Sequence, residues 1–195
     1  MLSTNWRGYR IAAWVGQFLL AIAIAVELYH RNWVGSFTLA CFLAASFMFV
    51  TLENQLPTLF DFLFVVAALL NAGGWVWGLF YLLKPYDEIV HAFTTFSVTL
   101  ALSFLMYDSM LTPFRYHRLL YILAIASFGI AIGAIWEIFE WLIQVINDLD
   151  DTIVDLIMDI IGALIAALVS VWALQERVHP KPTTEDQQVS PRRSR

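Results

Sequence analysis

Five carboxylates and one histidine sit in or beside apolar segments of this chain: His91, Glu137, Glu140, Asp151, Asp155 and Asp159. Asp87 stands one helical turn before the histidine. A histidine among several Asp and Glu oxygens suits a divalent metal ion such as zinc, manganese, iron or magnesium. The spacing favours shared helix faces, because Asp87 and His91 are i, i+4, Glu137 and Glu140 are i, i+3, and the three aspartates from 151 to 159 recur every fourth residue. The sequence therefore offers His91, Glu140, Asp155 and Asp159 as metal ligands, with Asp87, Glu137 and Asp151 as catalytic groups. A bound ion would acidify water to make a nucleophile and bridge to a phosphate. No serine or cysteine accompanies the cluster and Thr152 is a poor candidate nucleophile, so hydrolysis or direct transfer is more natural than a covalent route.

The elements that must position these groups are transmembrane helices. With 60% hydrophobic and only 14% charged residues, and a mean hydropathy of +0.70, the composition is that of a lipid-soluble chain. A spanning helix needs roughly 20 apolar residues. Six such runs fill almost the whole sequence, at residues 11–29, 33–52, 59–83, 89–107, 119–145 and 153–174. The expected fold is all-α, a polytopic six-helix bundle over residues 1–174, followed by a polar tail over 175–195 that reads as disordered. No soluble domain and no internal repeat is visible. The first run resembles a secretory signal, with Arg7 and Arg10 ahead of it and Ala23-Ile24-Ala25 in small-x-small form, but it continues past that point to ordinary spanning length.

Orientation follows from the basic residues. Arg7 and Arg10 precede the first span, Arg115 and Arg118 separate the fourth from the fifth, and five more follow the sixth, so all nine share one face. Only Arg31 and Lys84 fall on the other. Both termini are therefore expected in the cytoplasm of a bacterial cell, with the chain in its plasma membrane. The net charge of −5 carries no indication of nucleic-acid binding; the expected partners are membrane lipids and a second copy of the chain. Depth then follows from about 1.5 Å of rise per residue. Asp87, Asp148 and Asp151 belong at an outward mouth, joined by Glu27 near the end of the first span. His91, Glu140 and Asp155 lie one or two turns below, and Glu137 with Asp159 lies deepest.

The acids thus gather where basic residues are scarce, leaving protons, a metal ion or permeating cations to neutralise them. Each option defines a function. Protonated acids bonding across helices would make the cluster structural and the protein an accessory or scaffold; such bonds average only ~0.6 kcal/mol. A metal would make a membrane enzyme acting on a lipid or lipid-linked substrate. Permeating protons or cations would make a transporter, which requires polar residues through to the other face. Below Asp159 the sixth span is apolar, the fifth offers only Ser127 and glycines, and only Asp61 and Asn71 could extend a path. That dead end favours a pocket over a channel, unless an oligomer supplies the missing half.

Three stretches carry a family likeness. Tyr86-Asp87-Glu88-Ile89-Val90-His91-Ala92-Phe93, then Trp136-Glu137-Ile138-Phe139-Glu140-Trp141, then Asp151-Thr152-Ile153-Val154-Asp155 leading to Ile161-Gly162-Ala163, resemble the YjdF-like family of uncharacterised bacterial inner-membrane proteins. The pattern is more distantly similar to VanZ-like membrane proteins. The resemblance covers roughly the second half of the chain and implies a membrane location and a residue set, without a reaction. This chain departs from the family pattern at Ala92, which precedes Phe93 where phenylalanine usually follows the histidine at once, and at Asp159, where a small apolar or amide residue is expected.

The remaining features read as packing. Cys41, alone in the second span, is expected as a small buried apolar side chain, and a lone cysteine forms no intrachain disulfide. Trp75, Trp77, Tyr81 and Tyr86 read as an interfacial belt, or alternatively as a ligand wall. Gly73-Gly74, Gly129, Gly133 and Gly162 are expected where helices approach closely. Asn71 should bond to a neighbouring helix, and His30, His117 and His179 should be solvated.

Overall fold

The computed structural model describes residues 5–51, 57–106, 117–143 and 149–178. Among them every regular element is helical: α1 (Arg7–Tyr29), α2 (Trp33–Thr51), α3 (Thr58–Trp77), α4 (Leu79–Leu82), α5 (Lys84–Met106), α6 (Arg118–Leu142) and α7 (Leu149–Val178). Six of these are long and apolar enough to cross a membrane. Large aliphatic and aromatic side chains such as Ile11, Phe18, Ile135, Ile138 and Leu168 are exposed, as a lipid-facing surface requires when the surrounding solvent is itself apolar.

Several helix ends lie a few residues from the hydropathy reading, and two of them matter. The third run does not continue to residue 83, because Gly78 takes a left-handed conformation (φ 64°) and ends α3, a conformation that glycine adopts without the penalty of a Cβ. The short α4 follows, and extended Leu83 leads into α5. Hydropathy alone cannot register this break, since the residues on both sides of it are apolar. α5 accordingly starts at Lys84, which places Asp87 in its first turn. At the far end α7 runs to Val178, four residues into the stretch read as tail, and residues 179–195 lie outside the described residues.

α5, α6 and α7 form one tightly packed unit, with α5 and α7 parallel and α6 antiparallel to both. Small residues set the spacing. A Cβ on Gly162 of α7 would run into the Ala92 carbonyl of α5. One on Gly129 of α6 would meet Thr99 and the Ala163 side chain, and one on Gly133 would meet the carboxyl of Asp159. α3 seats on α5, where Phe60 and Phe104 pack at 4.6 Å between ring centroids. α1 and α2 complete the bundle on α3, joined to each other by Gln17 Nε2 donating to Ser46 Oγ at 2.8 Å.

Two buried charges outside the cluster are taken up by this scaffold. Asn32 caps α2 by accepting from the Gly35 N–H at 3.1 Å, while its amide donates to Glu27 at 2.5 Å. Glu27 therefore locks the α1–α2 turn and does not join the mouth of the acidic cluster. Asp61 lies 4.0 Å from Arg10, whose Nη1 also donates to the Val50 carbonyl at 3.1 Å. It staples α1, α2 and α3 at the opposite end from the cluster.

Because the α5–α7 contact is backbone against glycine, Gly162→Val is expected to cost about 1–3 kcal/mol through overpacking. Ala131→Val, on the exposed face of α6, is expected to be neutral. Thermal unfolding of the two variants in the same detergent checks this.

Candidate functional site

Three turns of α5 aim one row of side chains into the α5–α6–α7 unit, with Asp87, His91 and Thr95 each four residues apart. His91 is the centre. Its Nδ1 lies 3.4 Å from Glu137 Oε1 of α6 and 3.5 Å from Asp159 Oδ1 of α7. Its Nε2 lies 3.7 Å from Asp87 Oδ1 and 4.0 Å from Asp155 Oδ2. Among the described residues the ion pairs of this cluster all run to the imidazole; no lysine or arginine reaches it.

Burial is nearly complete. His91 is 6% exposed, Glu137 4%, and Asp155 and Asp159 1% each. Asp159 is positioned from two sides, since Thr95 Oγ1 donates to its Oδ1 at 2.5 Å and the missing side chain of Gly133 leaves it room. Its Oδ2, both oxygens of Glu137 and Asp155 Oδ2 are buried without a hydrogen-bond partner. Buried acceptors without donors are costly, so four such oxygens around one imidazole call for a proton, a water or a cation.

The geometry accommodates a cation. Two sets of donor atoms, from Asp87, His91 and Asp155 and from His91, Glu137 and Glu140, lie within 4.8 Å of one another. Nitrogen and oxygen ligands at ~2.1 Å from one ion stand roughly 3–4 Å apart, so small side-chain movements would close either set. The pairs on His91 are longer than strong hydrogen bonds of ~2.7–3.2 Å.

The structure thus brings together Asp87, His91, Glu137, Glu140, Asp155 and Asp159. Asp151 stands exposed on the first turn of α7, at the mouth where the sequence reading has it, and belongs to neither donor set. Asp148 lies outside the described residues. Glu88, beside Asp87 in sequence, belongs to neither set.

Sequence reasoning missed Thr95, although its spacing from His91 marks it as a member of the same face. It also overlooked the polar row that α5 continues below the cluster: Ser97, Thr99 and Ser103 are buried. Ser97 and Ser103 donate to the Phe93 and Leu100 carbonyls of their own helix at 2.8 and 2.7 Å, while Thr99 Oγ1 is buried without a hydrogen-bond partner. Asn71 of α3 bonds across to Thr94 of α5 at 3.0 Å.

A cavity of about 240 Å³ adjoins the cluster, with Asp87, His91, Glu140 and Asp159 at one end and mostly apolar walls from α2, α3, α5 and α6. Cys41 is a correction. It is exposed and lines this cavity instead of being buried, because α2 turns its Cys41 face toward α6 and does not pack it against another helix. The aromatic belt divides, with Trp77 and Tyr81 exposed, while Trp75 lines the cavity and the Tyr86 hydroxyl donates to the Leu70 carbonyl at 2.7 Å.

Residues 10–176 match the model of a family described as a predicted membrane protein (DUF2238), and the chain belongs to that family. No curated protein and no solved structure matches it.

Removing the hydroxyl that holds Asp159 leaves a buried carboxyl short of a partner, so Thr95→Val is expected to destabilise the protein by about 1–3 kcal/mol. Thr95→Ser is expected to recover most of that loss. Denaturation of the three proteins in one detergent compares them directly.

Proposed function

We propose that this DUF2238 membrane protein is a metal-dependent enzyme of a bacterial plasma membrane, acting on a lipid or lipid-linked substrate at a pocket open to the outer leaflet. One observation carries the reading: carboxylate oxygens from two helices lie buried and without hydrogen-bond partners around a single histidine. In this reading Asp87, His91 through Nε2, and Asp155 hold the ion. Glu137 and Asp159 face the opposite ring nitrogen at 3.4 and 3.5 Å, where carboxylates commonly orient a ligating histidine, and Thr95 holds Asp159 in turn. Glu140, half-buried and lining the cavity, completes the ligand set or takes a proton from water. When bound, the ion would supply a Lewis acid for a phosphate oxygen and an acidified water.

The outward orientation is supported by the basic residues at the opposite end, Arg7, Arg10 and Arg118 among them. The narrower kinship with YjdF-like and VanZ-like proteins belongs to the same proposal and is supported by the three sequence stretches that contain the cluster.

Metal analysis of protein purified without chelator tests the reading. The wild type is expected to hold near-stoichiometric zinc, manganese, iron or magnesium, and His91→Ala and Asp155→Asn are expected to lose it. A wild type that binds none of these on titration contradicts the proposal. Proton flux in liposomes that Asp155→Asn abolishes would then assign transport, and folded variants lacking flux but losing thermal stability would assign a structural role.

A further inference from the structure

The cavity is much longer than the ion cluster needs. Along α5 its lining runs from Asp87 to Val98, and along α2 from Thr38 to Phe49. Eleven helical residues rise ~16 Å, so the chamber extends about half the depth of a hydrocarbon core ~30 Å thick. Away from the carboxylates its walls are mainly apolar, with Phe42, Phe49, Phe64 and Trp136 among them, and its polar members include Thr38, Asn71 and Thr94. Water is poorly held between such walls, because a buried water needs two to four polar partners.

One wall is open to the side. α2 packs on α1 and α3, and it meets α6 through aromatic rings, Phe37 on Phe139 at 6.5 Å and Phe42 on Trp136 at 5.9 Å between centroids. Cys41, midway along α2, belongs to the cavity lining and is also exposed. The seam between α2 and α6 therefore leads from the chamber to the lipid-facing surface at mid-depth. A ligand entering there comes from the bilayer and crosses no aqueous phase.

We propose that the chamber holds one hydrocarbon chain of a phosphate-headed lipid, admitted sideways between α2 and α6, with the phosphate lodged at the His91 cluster. This rests on the ion-binding reading above, since carboxylates alone would repel an anionic headgroup and a bound cation reverses that sign. The ~16 Å of lining includes the carboxylate end, so the apolar part holds only the length of chain nearest the phosphate. A second acyl chain, where the lipid has one, would stay in the bilayer outside the seam. A prenyl phosphate and a diacyl phosphatidic acid share the recognised chemistry, a phosphate ester on a long chain.

Native mass spectrometry of the ion-loaded protein, incubated in mild detergent with geranylgeranyl phosphate, phosphatidic acid or geranylgeraniol, tests the inference. Wild type is expected to retain at least one of the two phosphates about tenfold better than the alcohol, and which one it retains identifies the source. Ala45→Trp fills the chamber from α2, and Ala45→Leu does so more mildly. Both are expected to lose the adduct in proportion to added bulk while keeping the ion content and thermal transition of wild type. Retention unchanged in both variants, or no phosphate retained by an ion-loaded wild type, overturns the chain chamber and leaves the ion site standing. An ion-free wild type that also retains no phosphate overturns both. An ion-free wild type that binds the alcohol as well as the phosphate overturns the headgroup assignment as well as the ion site.

Discussion

The structure depends on a concentration of carboxyl groups in a low-dielectric interior with one imidazole, and no lysine or arginine among the described residues, to answer them. Charges at such depth cost several kcal/mol each on insertion scales, about 2.5–3.5 for an aspartate at a helix centre. They persist in structures when something offsets that cost. Here the surrounding packing is arranged around the cluster: Gly162 draws α7 onto α5, Gly133 opens room for Asp159, and Thr95 holds that carboxyl by a hydroxyl donor. Interhelical packing by small residues is the ordinary adhesive of membrane bundles. In this chain the same contacts also fix the distance between the acids and His91.

The buried charges of the chain have different fates. Asp61 and Arg10 lie together at one end of the bundle, and Glu27 is tied to Asn32 in the α1–α2 turn. Both are local staples. The His91 cluster differs because its oxygens outnumber the donors within reach, and because it adjoins a cavity with an apolar extension. A charged end and an apolar end within one chamber is the arrangement expected of a site for amphiphiles, with a few convergent polar groups fixing orientation and apolar walls supplying contact area.

Much of this was legible in the sequence. Hydropathy located all six spans, and i, i+4 spacing placed Asp87 with His91 and Asp155 with Asp159 on shared faces, because both properties are local and periodic. Asp151 shows the limit, since periodicity carries the row out to an exposed residue at the mouth without saying where the donor sets end. The break at Gly78 and the exposure of Cys41 were not legible either. The first depends on a single backbone conformation inside an uninterrupted apolar run. The second depends on how α2 is seated against α3 and α6, which no single-helix pattern encodes. Thr95 was legible in principle, as the next residue on the His91 face, but a threonine in a membrane helix commonly bonds to its own backbone, as Ser97 does here.

The central claim is that His91 and the acids of α5, α6 and α7 form one cation site. Electron spin-echo spectroscopy of the Mn²⁺-titrated protein, grown with ¹⁵N-histidine, tests it at the atom concerned. The account predicts coupling of the bound ion to a single imidazole nitrogen, lost in His91→Gln. Failure to retain the ion, or an ion showing no histidine coupling, or coupling that survives His91→Gln, would contradict it.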